Sequence, residues 1–191
     1  MRPLPTSNGV PYWPDGFNPD DEPSGPRPLW LQAFYFLLVF ATMQILYGMA
    51  TDTWIQRLFV ESLGSQPAAA LVNLVTPTVK ASAVGARLAA PGGGINIRGG
   101  CEGTEVLFLL LAAFAAIQMP WRRRIAGMAI GALLVFIFNQ ARILSLFYSF
   151  RADRQLFDLM HTIVAPIIFI ILIALYFYAW IHRDQRLAAT A

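Results

Sequence analysis

The sequence predicts an all-α integral membrane protein with about four transmembrane helices, plus one or two outward-facing amphipathic or re-entrant helices before the second main span. Three observations predict it. Hydrophobic residues make up 57 % of the 191 residues and charged residues only 13 %, and the mean hydropathy is +0.53, a composition that belongs in a bilayer. Four apolar runs, residues 29–50, 104–119, 125–150 and 159–181, approach or exceed the roughly 20 residues that a helix needs to cross. Basic residues sit in tight groups beside those runs, as they do beside membrane spans.

Residues 1–28 hold eight of the thirteen prolines, together with Asp15, Asp20, Asp21 and Glu22. Such a stretch has too little apolar surface to offset its ordering entropy and is expected to be a disordered cytoplasmic tail. It does not read as a signal peptide, because the apolar run behind it is too long for one. Residues 29–50 are therefore expected to form the first span of a polytopic membrane domain covering residues 29–181.

Residues 51–100 are too polar to cross readily and too apolar for a plain loop. Trp54, Ile55, Leu58, Phe59 and Leu63 recur at helical spacing, as do Leu71, Leu74 and Val75, so helices lying on the outer surface are expected there. Pro77 interrupts the second, Pro91-Gly92-Gly93-Gly94 ends the region, and Ile95-Asn96-Ile97 alternates like a short strand. The second span follows at 104–119, the third at 125–150 and the fourth at 159–181. Residues 182–191 form a short cytoplasmic tail.

The net charge of +3 comes mainly from arginine, with Lys80 the single lysine. In a membrane chain this excess is topology, and no nucleic-acid partner is implied. Arg122, Arg123 and Arg124 fill the second connection, and Arg183 and Arg186 follow the last span. Both termini are thus expected in the cytoplasm, with residues 51–100 and 151–158 on the other side. The chain has no CxxC, HExxH, Walker or GxSxG pattern, so no metal site and no cofactor is expected.

Three residues stand out at one depth. Counting 1.5 Å per residue from the basic clusters puts Cys101 roughly 30 Å, Arg142 roughly 27 Å and His161 roughly 31 Å away, near the opposite surface of a bilayer core of about 30 Å. Each has a plain reading as well. A lone cysteine is a small, easily buried residue, an arginine near a helix end can snorkel, and an interfacial histidine can be merely amphipathic. Yet an ionised group inside a span is by default functional, and Cys101 has glycines on both sides that permit close approach of a substrate backbone. A thiol, an imidazole and a guanidinium supply a nucleophile, a proton shuttle and a stabiliser of developing negative charge. Asn139, three residues before Arg142, can hydrogen-bond the guanidinium or line the cavity. Asp158, three residues before His161, can orient the ring or cap a helix.

Cys101-Glu102-Gly103, Asn139-Gln140-Ala141-Arg142 and His161, in this order over residues 95–181, resemble the exosortase/archaeosortase family of membrane transpeptidases. Ala141-Arg142-Ile143-Leu144-Ser145-Leu146-Phe147-Tyr148 is similar to the compact exosortases of the H and M types. The resemblance implies a cysteine processing enzyme of the bacterial inner membrane with its site facing the periplasm, Cys101 as nucleophile, Arg142 as stabiliser and His161 as acid/base. The implied partner is a membrane-anchored protein ending in a C-terminal sorting signal: a motif, a transmembrane helix and a basic tail. The acceptor is water, an amine or a glycan, often in exopolysaccharide-making organisms. Two other readings remain: a membrane thiol acyltransferase acting on lipid or glycan, and a noncatalytic assembly or transport subunit in which Cys101 only packs.

Overall fold

The computed structural model describes residues 27–97 and 101–189. Most of the expected proline-rich tail and the pair Gly99-Gly100 lie outside the described residues. Five longer helical elements, a single 3-10 turn at Pro77–Val79 and one small sheet make up the described residues. Helix α1 (Leu29–Met49) starts behind Pro28. Helix α2 (Trp54–Val75) is a single element where one or two were expected, with a π-helical middle at Leu58–Ser65. A meander of β1 (Ser82–Val84), β2 (Arg87–Ala90) and β3 (Gly93–Asn96) follows, then α3 (Thr104–Ala116) and α4 (Trp121–Ala152). Helix α5 comprises Arg154–Leu159, a π-helical stretch Met160–Val164 and Ala165–Ala189.

The all-α membrane class holds. Among the described residues four helices are long and apolar enough to cross a membrane: Leu29–Met49, Trp54–Val75, Trp121–Ala152 and Arg154–Arg183. This set differs from the expected one. Helix α3 stops at Ala116 because Ile117 is extended and Pro120 is already the N-cap of α4. Arg124 Nη2 donates to the Ile117 carbonyl at 2.7 Å, satisfying one of the orphan acceptors of the α3 end. The last helix runs through residues 182–189 without a break.

The meander is antiparallel, in the order β1-β2-β3, with Leu88 opposite Ala83 on one side and Ile95 on the other. Only its last strand was foreshadowed. Gly94 is required by the pairing itself, since a Cβ there would lie 2.2 Å from the Leu88 carbonyl oxygen. Asn73 pins the start of the sheet to α2: its Nδ2 donates to the Ala81 carbonyl at 2.8 Å and its Oδ1 accepts from the Ala81 N–H at 2.7 Å. Arg151 Nη1 donates to the Pro91 carbonyl at 2.8 Å and holds the β2–β3 turn on the end of α4.

Two apolar clusters divide the molecule. Near the cysteine, Ala68, Ala69 and Val72 of α2, Leu88 and Ile95 of the sheet, and Ile143, Leu146 and Phe147 of α4 pack around Ile97 and Cys101. Nearer the arginine triplet, Leu110 and Phe114 of α3, Val135 of α4, and Phe169 and Ile173 of α5 form the second. There Gly127 and Gly131 serve the chain's own bundle. A Cβ at Gly127 would lie 2.6 Å from the Phe114 ring, and one at Gly131 2.5 Å from Leu110. Helix α1 packs mainly against α3 and none of its residues is buried, as befits a helix whose remaining faces meet acyl chains.

Candidate active site

Cys101 is placed by the turn that leads into α3. Gly103, the N-cap, has φ 77°, a left-handed conformation open to glycine at little steric cost. A Cβ at this position would also lie 2.9 Å from Asn139 Oδ1. Asn139 Nδ2 donates to the Glu102 carbonyl at 3.2 Å, which ties the turn to α4. The amide thus serves the backbone of the Cys101 turn; of its two expected roles it does not bond the Arg142 guanidinium, but it does line a cavity. On the other side Tyr47 of α1 donates its hydroxyl to Glu102 Oε1 at 3.3 Å.

Helix α4 is fixed against α2 by Gln140, whose Nε2 donates to the Leu63 carbonyl at 2.6 Å. That carbonyl belongs to the π-helical stretch, where the shift away from the i→i−4 pattern leaves acceptors for outside partners. Two residues along α4, Arg142 turns its Nη2 toward the sulfur, 4.0 Å away. His161 lies within the second π-helical stretch, and its Nδ1 is 3.4 Å from Cys101 Sγ. Three residues from three elements therefore meet around one sulfur, as their common depth led one to expect.

Asp158 is not drawn in. It is exposed, and no hydrogen bond links it to His161 among the described residues. The imidazole instead leans back over residue i−4, where the Phe157 ring is stacked on it with centroids 5.4 Å apart and planes 4° from parallel. Helical side chains point toward the preceding turn, so a residue four back is a natural neighbour. Sequence reasoning passed over Phe157, although an aromatic residue at i−4 from a candidate histidine was a signal. The other histidine, His182, packs on Tyr178 at 4.2 Å, at the opposite end of α5.

Cys101 is 4 % exposed. Burial pushes its thiol above the usual range; the Arg142 guanidinium opposes this and Glu102 adds to it. Burial thus favours the neutral thiol, and Arg142 favours the thiolate. Two small cavities are lined by the neighbours of Cys101. One of about 170 Å³ lies between α4 and α5, with Arg142 on its wall beside Ala141, Ser145, Met160 and Val164. The other, of about 130 Å³, is lined by Glu102, Gly103, Asn139, Phe59 and Leu63. Among the described residues, no group of three or more His, Cys, Asp or Glu side chains could hold a metal ion.

A thiol, a base and a guanidinium arranged in this way can attack a carbonyl, move a proton and stabilise an oxyanion. Neither the curated proteins nor the solved structures contain a significant match to the chain. The profile of the transmembrane exosortases matches residues 23–178, about four-fifths of the chain and all three residues of the site. On this match, the chain belongs to the transmembrane exosortase family.

Proposed function

We propose that this chain is a membrane cysteine transpeptidase or protease that cleaves the C-terminal sorting signal of exported, membrane-anchored proteins. The observation that carries the reading is the meeting of Cys101 Sγ with His161 Nδ1 at 3.4 Å and Arg142 Nη2 at 4.0 Å. In this reading both termini lie in the cytoplasm, on the side of the Arg122-Arg123-Arg124 cluster, and the thiol lies at the periplasmic face of the inner membrane. A nucleophile at that level reaches a peptide bond just outside a substrate's membrane helix.

The chemistry follows from the thiol beside the imidazole. His161 Nδ1 takes the Cys101 proton as Sγ forms a bond to the scissile carbonyl carbon, and the carbonyl oxygen acquires charge on the Arg142 side. Collapse of the tetrahedral intermediate breaks the C–N bond. His161 returns the proton to the leaving amine, which departs with the substrate's membrane anchor, and the exported part stays on Sγ as a thioester. Water or an amine then attacks the thioester, giving its proton to His161, and the sulfur leaves and is reprotonated. Asn139 contributes by holding the backbone of the nucleophile's turn.

Co-expression with a candidate substrate ending in a motif, a membrane helix and a basic tail tests the reading, with C-terminal cleavage followed by mass. Cys101→Ala is expected to abolish cleavage while the protein inserts and unfolds like the wild type. Equal cleavage by both proteins would sink the assignment of Cys101 as nucleophile.

A further inference from the structure

The general base of a nucleophilic pair needs a third group to keep its ring in the productive orientation. Around His161 that group is not a carboxylate or an amide. Among the described residues the only polar partner of the ring is Cys101 Sγ, and Asp158 is exposed. The imidazole lies parallel to the Phe157 ring and offset from it, with centroids 5.4 Å apart.

Phe157 is in turn held from behind. Phe150 packs edge-on against it, with centroids 5.5 Å apart and planes 81° apart, and Arg154 covers Phe150 with its guanidinium 5.3 Å from the ring centre. Strand β3 closes over the same ring: a Cβ at Gly93 would lie 2.9 Å from Phe150 Cε1. The strand is kept there by the Arg151 bond to the Pro91 carbonyl. A continuous stack therefore runs from the β2–β3 turn through Phe150 and Phe157 to the imidazole, and on to the thiol.

We propose that Phe157 is the positioning residue of the Cys101–His161 pair, its ring face, backed by Phe150 and the β2–β3 turn, keeping Nδ1 on the sulfur. The inference rests on the catalytic reading of the pair given above. Stacking two planar rings restricts the tilt of the imidazole while leaving both its nitrogens free, so the ring keeps its aim when it gains or loses a proton. The small sheet thereby braces the base without touching it. The charged groups that act on the thiol are Arg142 of α4 and Glu102 of the turn before α3; neither belongs to the stack.

The test measures the rate at which iodoacetamide alkylates Cys101, the single cysteine, in the full-length protein across a pH series, with thermal unfolding followed in parallel. When His161 takes the proton, the wild type reacts at neutral pH, whereas His161→Gln reacts only where hydroxide ionises the thiol. Phe157→Met fills the same space without a ring face. It is expected to slow alkylation at neutral pH about tenfold, moving its profile about one pH unit toward that of His161→Gln. Phe157→Tyr restores the wild-type profile. Phe150→Leu, one step further back, gives a smaller shift in the same direction and serves if Phe157→Met does not fold. A wild-type profile in folded Phe157→Met, or in Phe150→Leu if only that variant folds, overturns the proposal. If wild type and His161→Gln share one profile, the catalytic pair itself is refuted, and the inference with it. A His161-dependent profile that survives loss of the Phe157 ring refutes the inference alone.

Discussion

The two apolar clusters are built on opposite plans. The one nearer the arginine triplet uses a few large side chains from three helices. Phe114 stands at its centre with Phe177 at 5.0 Å, Tyr176 at 6.4 Å and Trp180 at 6.5 Å. The one around Cys101 uses many small or branched residues from α2, the sheet, the α3 turn and α4, and buried polar groups sit among or beside them: Ser65, Thr104, Asn139 and Gln140. The contrast shows where chemistry can be housed. Helix-on-helix packing in lipid depends on shape, and rings locked over glycines hold α3, α4 and α5 in register without any reactive group. Bringing a thiol, a guanidinium and an imidazole together calls instead for segments from far-apart parts of the chain, two of them fixed by the hydrogen bonds of Asn139 and Gln140 and the third by the stack of His161 on Phe157.

Separate substitutions in the two clusters put this division to the test. The largest effect is expected at Gly103. Gly103→Ala places a Cβ at φ 77°, 2.9 Å from Asn139, and backbone strain of about 1–3 kcal/mol falls on the turn that carries Cys101. Alkylation of Cys101 at neutral pH should fall about a hundredfold, with only a moderate loss of thermal stability. Gly127→Ala is the matching change in the other cluster, where a Cβ meets both Phe114 and Trp180. Overpacking of about 1–3 kcal/mol is expected, read as a lower unfolding temperature, while Cys101 in the folded fraction alkylates as before. If Gly127→Ala also disables the thiol, the two clusters are not separable. Tyr176→Phe should have the smallest effect. It removes the hydroxyl bond to the Gly127 carbonyl, 2.6 Å long, and is expected to lower stability by about 0.6 kcal/mol without changing thiol reactivity.

The same division explains what could be read without coordinates. Cys101, Arg142 and His161 could be brought to one level by helix rise alone, because depth along an apolar helix is a one-dimensional quantity. Their distances could not, since these depend on rotation about each helix and on the π-helical stretch that carries His161. The sheet was legible only at Ile95. Its strands are three or four residues long, too short for a period, and the glycines that read as the end of a region form a hairpin turn and a close cross-strand pairing. Asp158 was the more conventional partner for a histidine, but helix geometry favours the residue at i−4, which is Phe157. The arginine triplet was read as a charge signal alone; Arg124 proves also to cap α3.

The abrupt end of α3 reaches beyond the protein. Its 13 residues rise about 20 Å, well short of a hydrocarbon core of about 30 Å. Lipids that solvate this helix must shorten to match it, and bilayers thin around such a mismatch at a modest energy per ångström. The thinning falls at the Ala116 end, where it draws headgroups toward the arginine triplet and not toward Cys101 at the other end of the helix.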